Sequence, residues 1–344
     1  MPLRHIAGHR HLLERLAQAI ERGTLPPSLI FSGPEGVGKR TAAIALAQAL
    51  NCERPVPWPD SAPDESGAPG ASGTDGCGEC GACRRIARGV HADLLMIAPG
   101  DSGSIKVDQI REAIDRSSYR PFEGRRRVVI VDEADALMGE AQNALLKTLE
   151  EPPPASIFVL ATPRSDLLLP TVRSRCQRLR FGALSASEIA ALLVRDHGMS
   201  ERDAHAAAAA ADGSVGRALD RDVDDASAAR DAAARLLTSA AATSDPRRRL
   251  DAARAMSAGA GERDALAGRL QALSALLRDV GALHSGAPDD VLANADLKPA
   301  LESVRRGFDV DRVVAAFAAV DRAIAALERN ASPKIVADWV ALNI

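Results

Sequence analysis

Aromatic side chains are scarce: one Tyr, two Trp and six Phe make up 3% of 344 residues. That excludes a stacking surface for single-stranded nucleic acid and leaves Ala, Leu, Val and Ile to fill the interior by close helix packing. A net charge is also missing, since 43 Lys and Arg face 46 Asp and Glu for a formal −3. No global positive field draws DNA or an anionic membrane, so any nucleic-acid contact must be local. No apolar run approaches the roughly 20 residues that span a bilayer. The segment Met1 to Ile20 carries Arg4, Glu14 and Arg15 in place of an apolar signal core. These absences predict a cytoplasmic protein with no membrane partner. Five cysteines in such a chain read as thiols or metal ligands rather than disulfides.

What is present is ordinary globular material, 46% hydrophobic and 26% charged, in a chain long enough for two or three domains. Up to about residue 182, short β-like runs alternate with helical patterns, which predicts an α/β domain around a largely parallel sheet. The strand candidates are Ser28 to Ser32, Asp93 to Ala98, Arg127 to Val131 and Ser156 to Ala161. Helical patterns cover Thr41 to Leu50 and Glu140 to Glu150, the second stopped by Pro152, Pro153 and Pro154, while Val107, Ile110 and Ile114 fall at helical spacing. Residues 54–76 hold Pro, Gly, Ser, Ala and Asp with almost nothing to bury, which predicts a disordered insertion. From Leu184 the β signal stops. Ser185 and Glu188 have capping-box spacing, and a small helical domain is expected over 183–222, followed by an all-helical unit over 223–344.

Gly33-Pro34-Glu35-Gly36-Val37-Gly38-Lys39 lies between a strand candidate and a helix candidate, the setting in which a phosphate-binding loop has physical meaning. Glycines let backbone N–H groups close around phosphate oxygens, and Lys39 neutralises the outer phosphates. The next residue, where Ser or Thr would hold Mg²⁺, is Arg40, with Thr41 one place further on. A guanidinium has no lone pair for a cation and brings charge of the same sign towards it. ATP or ADP is therefore admitted at this loop while Mg²⁺ is disfavoured. Asp132 and Glu133 follow four apolar β-branched residues, which puts both carboxylates at the C-terminal edge of a strand, where open α/β sheets bind ligands. Arg125, Arg126 and Arg127 read as a solvated basic loop.

Cys77, Cys80 and Cys83 make two consecutive CxxC steps, and Cys52 precedes them across the insertion. Four thiolates suit a closed tetrahedral Zn²⁺ site; an iron–sulfur cluster is the competing reading, less favoured because no redox partner site is apparent. Cys176 stands outside this spacing and reads as a buried thiol.

Together these residues resemble the clamp-loader subunits of bacterial DNA polymerase III, within the AAA+ superfamily, and among them the delta-prime type. The marks are the loop Gly33 to Lys39, the cysteine cluster after the following helix, Asp132-Glu133-Ala134-Asp135, Asn143 to Pro153, and Ser174-Arg175-Cys176. The gamma/tau type shares most of them, but a working ATPase would want Ser or Thr where Arg40 stands, and tau would carry a long C-terminal extension.

The resemblance implies an AAA+ P-loop domain over 1–182 with a zinc-binding insertion over 52–83. A helical lid over 183–222 and a helical collar over 223–344 would follow. It implies a hetero-pentamer with gamma/tau and delta subunits that opens a sliding clamp onto primed DNA. In it Arg175 would be an arginine finger reaching a neighbour's ATP, Thr162 would hold the first-sensor position and Arg217 the second. The chain's own hydrolysis would be weak or absent; an autonomous gamma-type motor is the alternative.

Overall fold

The computed structural model describes residues 1–59, 73–100, 102–220, 223–243, 245–257, 262–329 and 331–344. Its chain divides into two compact units, Met1–Ala183 and Leu184–Ile344.

In the first unit, α1 (Arg10–Glu21) leads to β1 (Ser28–Ser32) and α2 (Lys39–Asn51). A small module follows, with β2 (Val56–Pro57), β3 (Thr74–Asp75) and α3 (Gly81–Ala87). Then come β4 (Leu94–Ile97), α4 (Val107–Ser118), β5 (Arg127–Val131), α5 (Gly139–Glu150), β6 (Ser156–Thr162), α6 (Pro170–Arg173) and β7 (Gln177–Arg180). Five strands form one parallel sheet in the order β4-β5-β6-β1-β7. The strands β1, β5 and β6 are buried along their whole length, which is why their sequences are continuous apolar runs rather than alternating ones. Each face carries its own core: Leu29, Phe31, Val128, Ile130 and Val159 pack on α2 and α1, while Ile30, Val129, Val131, Phe158 and Leu160 pack on α4 and α5.

Two expectations are corrected here. The insertion expected to be disordered over 54–76 is ordered at both ends, where Val56 and Pro57 pair antiparallel with Asp75 and Thr74. Residues 60–72 of that stretch lie outside the described residues. Arg127 is not part of a solvated loop: it opens β5 and is buried, its Nη2 2.9 Å from Asp93 Oδ1. Desolvation of that guanidinium is offset by the buried carboxylate and by the carbonyls of Tyr119 (3.2 Å) and Arg120 (3.1 Å).

The second unit is helical throughout its described residues: α7 (Ala186–His197), α8 (Glu201–Ala209), α9 (Val215–Asp220), α10 (Val223–Ala242), α11 (Pro246–Ser257), α12 (Glu262–Ser285), α13 (Lys298–Arg305), α14 (Val310–Glu328) and α15 (Pro333–Asn343). The capping box read from Ser185 and Glu188 is in place at the start of α7, where Ser185 Oγ accepts the Glu188 N–H at 3.2 Å. An apolar core runs from Ala232 on α10 to Ile344, assembled almost wholly from Ala, Leu and Val. Among the described residues no helix is long and apolar enough to cross a membrane.

Candidate functional site

The parallel sheet brings the C-terminal ends of β1, β5 and β6 to one edge, with Ser32 beside Thr162 and Val131 beside Leu160. The loop Gly33–Lys39, Asp132, Glu133 and Thr162 all leave from that edge. Gly33 donates its N–H to Thr162 O at 3.3 Å, and its bare α-carbon passes so close to β7 that a Cβ would lie 2.0 Å from Phe181 O. Gly36 and Gly38 adopt φ of 70° and 94°, the left-handed turns that wrap the loop around the start of α2. α2 begins at Lys39, so the free N–H groups of its first turn face the loop.

Lys39 is buried and turns its Nζ onto the carbonyls of Gly33 (2.7 Å) and Pro34 (2.5 Å). Burial pushes its pKa down, against the pull of Asp132, Glu35 and Asp135. Arg40 lies on the exposed side of α2 with Nη1 3.4 Å from Asp132 Oδ2, and the other Asp132 oxygen accepts the Glu133 N–H at 3.1 Å. Thr41 is exposed one residue further round the helix, and Glu133 is exposed in a left-handed turn at φ 49°. Thr162 is fully buried and donates its hydroxyl to Asp135 Oδ1 at 3.0 Å; Asp135 Oδ2 in turn holds Arg164 Nη2 at 2.8 Å. Sequence reasoning passed over Asp135 as a partner of Thr162, because nothing along the chain links two residues joined only across β5 and β6.

Arg175 follows α6 and precedes Gln177, the residue that pairs with Leu29 at the start of β1. It therefore belongs to the opposite edge of the sheet from the phosphate loop, separated by the length of β7, ~13 Å at about 3.3 Å per residue. Glu150 Oε2 receives Arg175 Nε at 3.1 Å and Nη2 at 2.9 Å, and Thr171 O receives Nη1 at 3.0 Å. Glu150 entered the sequence reading as part of the Asn143 to Pro153 segment, but its pairing with Arg175 has no signal along the chain until folding sets the two together. Cys176 is buried, its thiol pushed up to about 12 by burial. Arg217 lies in the second unit, half-exposed on α9 with Nη1 3.8 Å from Asp212 Oδ2.

The four other cysteines converge. The sulfurs of Cys52, Cys77, Cys80 and Cys83 all lie within 4.8 Å of one another, and Cys52 and Cys80 are 3.9 Å apart. Zn–S bonds of ~2.3 Å in a tetrahedron require sulfurs about 3.8 Å apart, so the cluster fits a metal of that kind. Backbone N–H groups already point at sulfur: Cys77 to Cys52 (3.2 Å), Cys80 to Cys77 (3.2 Å) and Cys83 to Cys80 (3.5 Å). Burial works to raise the Cys80 thiol, but the amides of Cys83 and Glu53 and the neighbouring thiols outweigh it and bring it down to about 6. Burial pushes Cys52 and Cys83 up. A metal ion among them would deprotonate them outright.

Residues 8–185 match the family model described as "DNA polymerase III, delta subunit". The chain belongs to that family, the delta-prime branch of the clamp-loader subunits. The gamma/tau subunit of Mycobacterium tuberculosis (strain ATCC 25618 / H37Rv) is 35% identical over 201 residues, 55% of this chain and 30% of that protein. The tau subunit of Escherichia coli (strain K12) is 35% identical over 185 residues, 54% of this chain and 26% of that one. The chain thus spans under a third of the length of these relatives. A solved gamma-subunit-related protein from Thermotoga maritima covers 95% of this chain and 96% of its own at 18% identity and TM-score 0.36. The parallel five-stranded α/β core followed in sequence by a helical region is the fold class that the sequence led us to expect.

Proposed function

We propose that this chain acts as a delta-prime clamp-loader subunit that lends an arginine in trans and hydrolyses little or no ATP itself. The observation that carries the reading is the placement of Arg175, at the sheet edge opposite the phosphate loop and therefore directed away from its own site. A guanidinium there would stabilise charge on the phosphoryl group of a neighbour's ATP. The partners on this reading are gamma/tau and delta subunits in a hetero-pentamer, a sliding clamp and primed DNA, with residues 183–222 as lid and 223–344 as collar. Thr162 and Arg217 would take the two sensor positions, and the Cys52, Cys77, Cys80 and Cys83 site would hold Zn²⁺ as a structural ion.

The test is reconstitution with gamma/tau and delta subunits. Arg175→Ala is expected to lower turnover at one interface by roughly 10³-fold or more, as removal of an arginine finger does. Unchanged turnover at that interface would remove the trans role. A second reading, an autonomous gamma-type motor, is favoured by the 35% identity to gamma/tau subunits. Steady-state hydrolysis by the isolated chain, lost in Lys39→Ala, would establish it.

A further inference from the structure

The fold implies a divalent cation beside the nucleotide phosphates, held by a hydroxyl one residue after the loop lysine and by the strand-end carboxylate. The residues here do not fit that ion. Arg40 stands where the hydroxyl belongs, and its Nη1 lies 3.4 Å from Asp132 Oδ2. The second Asp132 oxygen is taken by the Glu133 N–H at 3.1 Å. Thr41 offers no substitute, because one residue along an α-helix turns the side chain by about 100°, and Thr41 is exposed. A guanidinium carries positive charge and offers no lone pair, so it repels the ion rather than holding it.

The phosphate half of the site is nevertheless built. Gly36 and Gly38 make the loop's left-handed turns, α2 begins directly after it with its first-turn N–H groups, and buried Lys39 donates to the loop carbonyls of Gly33 and Pro34. An incoming phosphate would take Lys39 from those carbonyls. Arg40 needs only to swing from Asp132 to meet the same phosphate, and Arg binds phosphate oxygens with parallel N–H bonds.

We infer that this loop takes a nucleoside di- or triphosphate without a divalent cation, Arg40 supplying the positive charge that the metal supplies elsewhere in the fold. The inference rests on reading the loop as a nucleotide site and gives that site its ligand regime. Asp132 then serves to aim Arg40 rather than to hold a metal shell.

Calorimetry on the intact chain, titrating ADP and ATP in excess EDTA and again in excess Mg²⁺, tests it. Affinity is expected to be the same in both within about threefold, a difference of under 1 kcal/mol. Arg40→Thr, on an exposed face of α2 where the change leaves the packing alone, is expected to weaken binding in EDTA by roughly tenfold to a hundredfold, the size of one charge-assisted hydrogen bond. In the same variant Mg²⁺ is expected to restore affinity. Binding that requires Mg²⁺ in the unaltered chain, an Arg40→Thr variant that binds as before in EDTA, or no nucleotide binding at all would each overturn the inference. An assembly whose ATPase depends on Arg175 while this chain ignores nucleotide would overturn it alone and leave the trans role standing.

Discussion

Asp93 enters the sequence as one acid ahead of a short strand, and the fold gives it five donors. It is buried and accepts the N–H groups of Phe122 (2.7 Å), Glu123 (2.9 Å) and Gly124 (2.8 Å), with Arg127 Nη2 at 2.9 Å and Nε at 3.3 Å. Burial works to raise its pKa, but those N–H groups and the guanidinium outweigh it and hold the carboxyl below its ordinary value of 3.8. Because the folded value is depressed, the stabilisation is complete above 3.8 and fades as the pH falls through the folded value. Asp93→Asn is expected to cost ~3–5 kcal/mol near neutral pH, the usual result of leaving one half of a buried ion pair. Denaturant melts at stepped pH should show that gap closing in acid; a gap that does not vary with pH would contradict this assignment. Gly33 makes a second residue-scale test. A Cβ there would sit 2.0 Å from Phe181 O, so Gly33→Ala should displace the β1–β7 pairing and cost ~1–3 kcal/mol or more. A thermal melt that matches the parent would refute the close approach.

At the scale of elements, the module that gathers the four cysteine sulfurs also ties down the N-terminal segment. Asp75, wholly buried on β3, accepts Leu3 N and Arg4 N, each at 3.1 Å, and pairs with Arg4 Nη1 at 3.0 Å. Its neighbours Gly76 and Cys77 carry the chain directly to the sulfur cluster. Chelation should therefore loosen two separate stretches together. Amide hydrogen exchange is expected to rise over residues 1–6 and 73–87 once the metal is removed, while β5 and β6, buried on both faces, keep their protection. Exchange that stays unchanged over residues 1–6 would sever the link through Asp75. The same module contains the clearest difference between reading and structure. The composition of 54–76 promised no order, yet Pro57 and Thr74 pair because buried Cys52 and Asp75 tie both ends to α2 and the N-terminus.

For the whole molecule, each of the two units carries its own apolar core, one pair of layers around the sheet and one helical cluster from Ala232 to Ile344. Residues 184–344 expressed alone are expected to unfold in a single cooperative transition, followed by circular dichroism; a non-cooperative melt would show that this core needs the first unit. Much of this plan was legible along the chain. Period-free apolar runs marked the buried strands, Ser185 and Glu188 marked the start of α7, and Cys77, Cys80 and Cys83 announced their cluster, because each signal depends on neighbours within a few residues. The phosphate loop and the substitution at Arg40 were equally local. What only the tertiary structure decided involves residues far apart in sequence: Glu150 against Arg175, Asp135 against Thr162, Asp93 against Arg127, and Arg40 against Asp132. Local order follows from backbone geometry and side-chain type, whereas the partner of a charge is set by which strand ends a parallel sheet gathers at one edge, and that depends on the chain's path through the whole fold.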